Sequence, residues 1–171
     1  MYVAPVGSAE PDVTAEPVSP WVELGCTDGQ QSLQYVGALE YFRDGCHQGP
    51  VQAVRPEEDV VVQFTLVGLT LENYARILSQ VDAVKTDEVA DPETRTLLMV
   101  RKFAPTEYAL LLRGEAFSPY GAWPGICLIP CGVFDGEPQL TFAKDGRVGI
   151  EVEFRALEDD TQDEDYALGV A

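Results

Sequence analysis

Strict alternation of apolar and polar residues defines one hairpin near the end of the chain. Apolar side chains occupy every second position in residues 140–142 and again in residues 148–154. Such alternation places one face of a strand in a core and the other face outside it. A shift of one residue would reverse the face of every side chain, so the apolar pattern selects the pairing. It predicts a three-residue loop, Lys144-Asp145-Gly146, with Phe142 opposite Val148 and Leu140 opposite Ile150.

Other apolar runs, bounded by turn residues, predict further strands along the chain. The clearest run is residues 60–66, where Val60, Val62, Phe64 and Leu66 occupy every second position. A turn is predicted at Thr27-Asp28-Gly29, and Gly37 marks a change of phase that favours a bulge. The remaining predicted strands are residues 21–24, 32–42, 97–100, 108–112 and 126–129.

One stretch, residues 70–81, follows the helical period. Thr70 is a good N-cap residue, and Leu69 before it can pack against Tyr74 one turn later. Leu71, Tyr74, Ala75 and Leu78 recur at helical spacing, which predicts a single apolar stripe facing a sheet. The chain is therefore predicted to be mainly β with one helix.

Three stretches lack any period. Residues 1–20 contain four prolines and are predicted to be an N-terminal arm rather than a core element. Residues 43–58 form a long polar stretch, predicted as a loop, and residues 158–171 begin as a dense acidic tail. The organisation so predicted is a β-sandwich or barrel domain at residues 21–157, carrying the arm, the long loop and the tail.

The charge balance limits the possible functions more than the apolar content does, which is ordinary for a globular protein. Twenty-nine acidic residues against eleven basic ones give a net charge of −18. Adhesive binding to nucleic acid needs Lys and Arg, so this charge excludes it while leaving repulsion of nucleic acid open. No apolar run is long enough to span a membrane, and the first residues lack the basic and apolar regions of a secretion signal. A product that stays in the cytoplasm is expected.

Four cysteines raise the question of a metal or redox site: Cys26, Cys46, Cys127 and Cys131. Cys127 and Cys131 lie in a predicted strand, where positions four apart are separated by about 13 Å. A disulfide needs Cα atoms within about 7 Å, and shared ligation of one metal is equally strained. Free and mostly buried thiols are therefore expected.

Catalytic patterns find no support in the sequence. His47 is the only histidine, and it lies in the predicted polar loop without the context of a nucleophile. Glycine-rich nucleotide loops are absent. The acidic runs at residues 57–59 and 158–160 lack the spaced ligands of a calcium loop. No enzymatic activity, cofactor or metal is expected, and His47 is expected at the surface.

The order of these elements resembles that of the tail tube (major tail) proteins of long-tailed bacteriophages. The resemblance lies in Tyr2-Val-Ala-Pro-Val-Gly7 with residues 21–29, in the strand 60–67 followed by Gly68-Leu-Thr-Leu-Glu-Asn-Tyr-Ala75, and in residues 150–159 after the Lys-Asp-Gly turn. The cysteines and the very acidic tail depart from the family pattern.

The resemblance implies a structural virion protein of the phage tail. In such proteins six-membered rings join their sheets into an inner barrel and stack into a tube, which conducts DNA without binding it specifically. The implied partners are further copies of the chain, the tape measure, the terminator and the baseplate hub, with assembly in the host cytoplasm and no membrane.

The resemblance also implies that the arm and the long loop bridge neighbouring rings. Candidate inter-ring residues are Arg43, Asp44, His47, Arg55, Glu57 and Glu58. A lumen lined by carboxylates would repel DNA phosphates and let the genome slide. The candidate lumen carboxylates are Glu40, Glu151 and Glu153, although alternation alone leaves a solvated outer face equally open.

Two alternatives stay open from the sequence. The first is a related tube protein from a contractile tail or a secretion-system needle. The second is a monomeric β-sandwich binding module, for example for sugar, in which Tyr120 and Trp123 would stack on a ring. Packing in a core or an interface is the other interpretation of these two aromatic side chains.

Overall fold

A computed structural model describes residues 1–88, 94–101, 104–114, 125–142 and 148–159. The chain is mainly β, as predicted, with one α-helix in the described part. The strands, numbered in chain order, are β1 Tyr2–Pro5, β2 Val22–Glu23, β3 Cys26–Val36, β4 Glu40–Phe42, β5 Gln52–Val54, β6 Asp59–Val67, β7 Val84–Asp87, β8 Thr94–Leu97, β9 Tyr108–Gly114, β10 Gly125–Asp135, β11 Leu140–Phe142 and β12 Val148–Ala156. The helix α1 is Leu71–Ile77, and a 3₁₀ turn follows at Val81–Ala83.

An antiparallel sheet organises the molecule. Its strands follow the order β2-β1-β9-β10-β12-β6-β3, and β11 pairs with the first residues of β12. The sheet curls into a half-barrel, so its concave face encloses the main core. Two small hairpins, β4–β5 and β7–β8, stand apart from this sheet.

The core follows directly from the alternation along β6 and β12. The side chains at every second position of each strand are almost wholly buried: Val62, Phe64 and Leu66 in β6, with Ile150, Val152, Phe154 and Ala156 in β12. Phe154 makes an edge-to-face contact with Phe134, with ring centroids 5.1 Å apart. A smaller apolar cluster contains Trp21, Ala4, Ala109 and Leu111.

The hairpin predicted near the end of the chain has the expected register. Leu140 pairs with Ile150, and Phe142 pairs with Val148. The loop itself, Lys144-Asp145-Gly146, lies outside the described residues. Because this register puts Ile150 and Val152 on the concave face, the apolar pattern of β12 was sufficient to fix it.

The helix begins at the predicted cap but ends earlier than residue 81. The backbone N–H of Asn73 donates to Oγ1 of Thr70 at 3.2 Å, as an N-cap requires. The helix ends at Ile77, and Ser79 then takes a left-handed conformation with φ 57°. Asn73 also donates to the carbonyl oxygens of Glu23 and Leu24, which fixes the helix against the end of β2.

The predicted arm at residues 1–20 is wrong for its first residues. Residues 2–5 form β1, which lies between β2 and β9, and Val3 and Ala4 are each only 2% exposed. The rest of the stretch is also attached to the domain. Trp21 donates from Nε1 to the carbonyl oxygen of Ala9 at 3.0 Å, and Arg113 donates to that of Ala15 at 2.9 Å.

Several predicted loops and turns contain strands instead. The stretch 43–58 holds β5, which pairs with β4, so that only residues 43–51 connect them. Residues 84–87, for which no strand was predicted, form β7. It pairs with β8 at residues 94–97, so the strand predicted at residues 97–100 lies three residues earlier. The predicted turn at 27–29 lies within β3, where the pairing with β6 shifts register between Asp28 and Ser32. At Gly37 the chain leaves the main sheet, whereas one bulged strand had been predicted.

Candidate assembly surfaces

The carboxylates of β12 lie on the convex face of the sheet, opposite the core. Glu151 is exposed and Glu153 is half-buried, while Ile150 and Val152, which alternate with them, point into the core. Neighbouring strands extend this polar surface, which we call the acidic face. It contains an open groove of about 510 Å³, lined among others by Ser32, Gln63, Thr65, Asp135, Glu151 and Glu153.

One arginine, Arg155, lies close to carboxylates from three strands of this face. Arg155 lies 3.2 Å from a carboxylate oxygen of Asp135 and 3.5 Å from oxygens of Asp59 and Glu153. The amide of Gln63 donates to the other oxygen of Glu153 at 2.9 Å. Arg155 thus links β6, β10 and β12 across the outer surface. Because its side chain is 41% exposed, solvent screens these pairs and the contribution of each to stability is small.

The third predicted lumen residue, Glu40, lies elsewhere. It belongs to β4, where it faces Val54 of β5 in a separate two-stranded sheet. The structure therefore brings Glu151 and Glu153 together on one strand and places Glu40 in the hairpin.

The concave face is exposed at its β3 edge. Leu33 and Tyr35 pair with Val62 and Val60 of β6, so they continue the apolar row of the core. Yet Leu33 is 49% exposed and Tyr35 is 51% exposed. β3 is also the last strand of the sheet, so its outer edge has no strand partner among the described residues. An apolar row that ends at an open edge is a surface that a further strand or subunit can complete.

The hairpin formed by β4 and β5, which follows β3 in the chain, carries further exposed apolar side chains. Five of its apolar side chains are exposed by more than a third: Leu39, Tyr41, Phe42, Val51 and Val54. Phe42 and Val54 share one face of the two-stranded sheet, and Tyr41 lies on the other. A two-stranded hairpin has no core of its own, so aromatic residues on both faces indicate a contact surface.

Two predicted inter-ring residues form the root of the hairpin. Arg55 donates to Oε1 of Glu58 and to the hydroxyl of Tyr35, each at 3.0 Å, and its guanidinium lies 5.1 Å from the centre of the Tyr35 ring. Hydrogen bonds from Tyr35 and Arg55 lower the pKa of Glu58. The absence of a side chain at Gly37 leaves room for Arg55 to pass close to the backbone, because a Cβ there would lie 2.7 Å from Cδ of Arg55.

The other predicted inter-ring residues lie along the connection between β4 and β5 and beside its root. His47 is exposed, as predicted, and its Nδ1 lies 2.8 Å from the carboxylate of Asp44. The same carboxylate accepts from the backbone N–H groups of Cys46 and His47 and so shapes the turn. Arg43 and Glu57 are exposed.

The cysteines are free, as predicted, but only half of them are sheltered. Cys131 is buried and Cys127 is partly buried, while Cys26 and Cys46 are exposed. Burial raises the pKa of the Cys131 thiol, and the carboxylates of Glu107 and Asp159 raise it further. Burial also raises the pKa of Cys127.

We expect two fast and two slow thiols when the folded protein meets a disulfide reagent such as dithionitrobenzoate at pH 8. Cys26 and Cys46 are accessible, whereas Cys127 and Cys131 are shielded and less readily form the reactive thiolate. Absorbance stopped-flow would count the phases, and all four thiols should react quickly in denaturant. Four equal rates in the native protein would contradict the burial described.

Metal and membrane sites receive no support from the described residues. No group of three or more His, Cys, Asp and Glu side chains in that part of the chain is arranged to hold a metal ion. None of its helices is long and apolar enough to cross a membrane. Tyr120 and Trp123, the candidate sugar-stacking pair, lie outside the described residues, as does all of the acidic tail beyond Asp159.

Family models and curated proteins provide no relative of this chain. The chain matches no protein-family model, and no curated protein is recognisably similar to it. Its function therefore has to be inferred from its own surfaces.

Proposed function

We propose that this chain is a structural virion protein, the tail tube subunit of a long-tailed bacteriophage. It would form six-membered rings that stack into a hollow tube for DNA ejection. The proposal is supported by the order of elements in the sequence and by one structural observation. The apolar concave face ends exposed at the open edge of β3. The exposed hairpin β4–β5 follows that strand in the chain and contacts it through Arg55 and Tyr35.

This observation supports assembly with copies of the same chain. A monomer gains nothing from displaying Leu33, Tyr35, Tyr41 and Phe42, each about half exposed, beside an unpaired strand. In a ring, the edge of β3 would meet the sheet of the next subunit. In a stack, the hairpin would reach the next ring. Closure of the ring would cover every β3 edge, and stacking would cover the hairpins of every ring except the last.

The acidic face supplies the property that a DNA conduit needs. Glu151 and Glu153 with Asp135 line an open groove on a protein whose net charge is −18. Turned towards a lumen, these carboxylates would repel phosphates and keep the genome from sticking. We keep Glu151 and Glu153 as lumen candidates and assign Glu40 to the hairpin. The tape measure, terminator and baseplate hub remain the proposed partners.

Negative-stain microscopy of the purified protein tests this proposal. Hollow tubes or uniform rings are expected at high protein concentration. Added salt should lower the concentration at which they form, because it screens the repulsion between copies. A protein that stays monomeric at millimolar concentration, with and without salt, would overturn the proposal and favour a binding module instead.

A further inference from the structure

A second exposed apolar surface lies far from the hairpin in sequence. Leu98, Met99 and Val100 follow β8 and are 40%, 71% and 55% exposed. Three consecutive exposed apolar residues are unusual in a chain that otherwise alternates. We call them the 98–100 segment.

The backbone of the 98–100 segment is held firmly in place. The side-chain amide of Gln80 donates to the carbonyl oxygen of Val100 at 2.8 Å and accepts from its N–H at 3.1 Å. The N–H of Leu98 donates to the carbonyl oxygen of Ala83 at 3.1 Å. An exposed apolar run whose backbone is already ordered loses little conformational freedom on binding, so it is well suited to docking.

The local charge identifies what this segment can receive. Residues 94–101 contain two arginines and no carboxylate; Arg95 already pairs with the carboxylate of Glu72, and Arg101 is exposed. Residues 40–58, which include the hairpin and its root, contain four carboxylates against two arginines. On a protein with a net charge of −18, contact between copies is possible only where local charges are opposite or apolar surface is large. Exposed Arg101 beside three exposed apolar side chains is complementary to the excess of carboxylates and the exposed aromatic side chains of the hairpin.

We propose that the 98–100 segment of one copy receives the β4–β5 hairpin of a second copy. Tyr41 and Phe42 would supply the apolar contact, and Arg101 would lie towards the hairpin carboxylates. The contact is heterologous, since each copy offers one surface and accepts the other. Such a contact repeats from copy to copy instead of ending at a dimer. This inference rests on the proposed function and names the acceptor for the hairpin.

Two variants with complementary defects test the inference. The hairpin variant carries Tyr41→Ser and Phe42→Ser and keeps its 98–100 segment. The acceptor variant carries Met99→Asp and keeps its hairpin. Each variant alone should assemble only at a protein concentration that is higher than that of the wild type by on the order of tenfold or more. Thermal unfolding checks that both fold. Gln139→Asp, at an exposed position outside the arm, the hairpin and the 98–100 segment, is the control that assembles normally.

Mixing the two variants gives the decisive readout in analytical ultracentrifugation. One intact hairpin can then meet one intact acceptor, so the mixture should form complexes of two units that grow no further. The units would be subunits, or rings if ring contacts persist. The inference is overturned if the mixture forms no complex, or if the acceptor variant assembles like the wild type. Tubes from the acceptor variant would leave the proposed function standing, whereas paired units without wild-type tubes would overturn only the proposed function.

Discussion

Replacing Gly132 with alanine is expected to lower the free energy of unfolding by about 3 kcal/mol, a cost typical of overpacking in a filled core. A Cβ at this position would lie 2.4 Å from Cε1 of Phe154 and 2.6 Å from the carbonyl oxygen of Arg155. Phe154 is fully buried and also packs against Phe134, so it has little room to move. Urea unfolding followed by circular dichroism measures the change.

Gly125 in the same strand is the matched control for this substitution. A Cβ there meets no atom within 4 Å. Gly125→Ala should therefore leave the free energy of unfolding within about 1 kcal/mol of the wild type, as expected for a glycine replaced without strain. Equal effects at the two positions would show that β10 does not pack on Phe154 as described.

Replacing Val3 with aspartate is expected to cost about 4 kcal/mol or to prevent folding, because it would bury an unpaired carboxylate. Val3 is 2% exposed and lies in β1, between β2 and β9. The same aspartate at Val18, which is 76% exposed, should change little. Folding yield and urea unfolding of the two variants measure the contrast. If both variants unfold at the wild-type urea concentration, residues 2–5 do not form part of the sheet.

The sequence predicted best where the period of the side chains and the burial agree. The strand at residues 60–66, the N-cap at Thr70 and the register of β11 with β12 were all confirmed. In each case the deciding information lies within a few residues. Alternation determines which face of a strand is buried, and a short connection determines which strand pairs with it. No distant contact is needed for either.

The failures arose where a distant partner decides the structure. β1 is short and ends in Pro5, so nothing local marks it as a strand, and its partner β9 lies about a hundred residues away. The hairpin at residues 40–54 did carry a sequence signal, since Tyr41 and Phe42 in one short run and Val51 and Val54 in the next fall in its two strands or beside them. The polar and glycine-rich residues 43–50 between the two strands concealed this signal. The candidate carboxylates could not be sorted, because alternation gives a face but not what the face meets.

The contacts at the root of the hairpin affect which substitutions the chain can accept during evolution. Arg55, Tyr35 and Glu58 attach the hairpin to β3 through exposed polar contacts, while the main core contributes none of its side chains to it. Substitutions in residues 40–54 are therefore expected to change the hairpin surface without weakening the half-barrel. If the hairpin makes the contact proposed above, the residues that choose the partner are separate from those that stabilise the fold, so a lineage could vary its assembly partners while its folding stability stays the same.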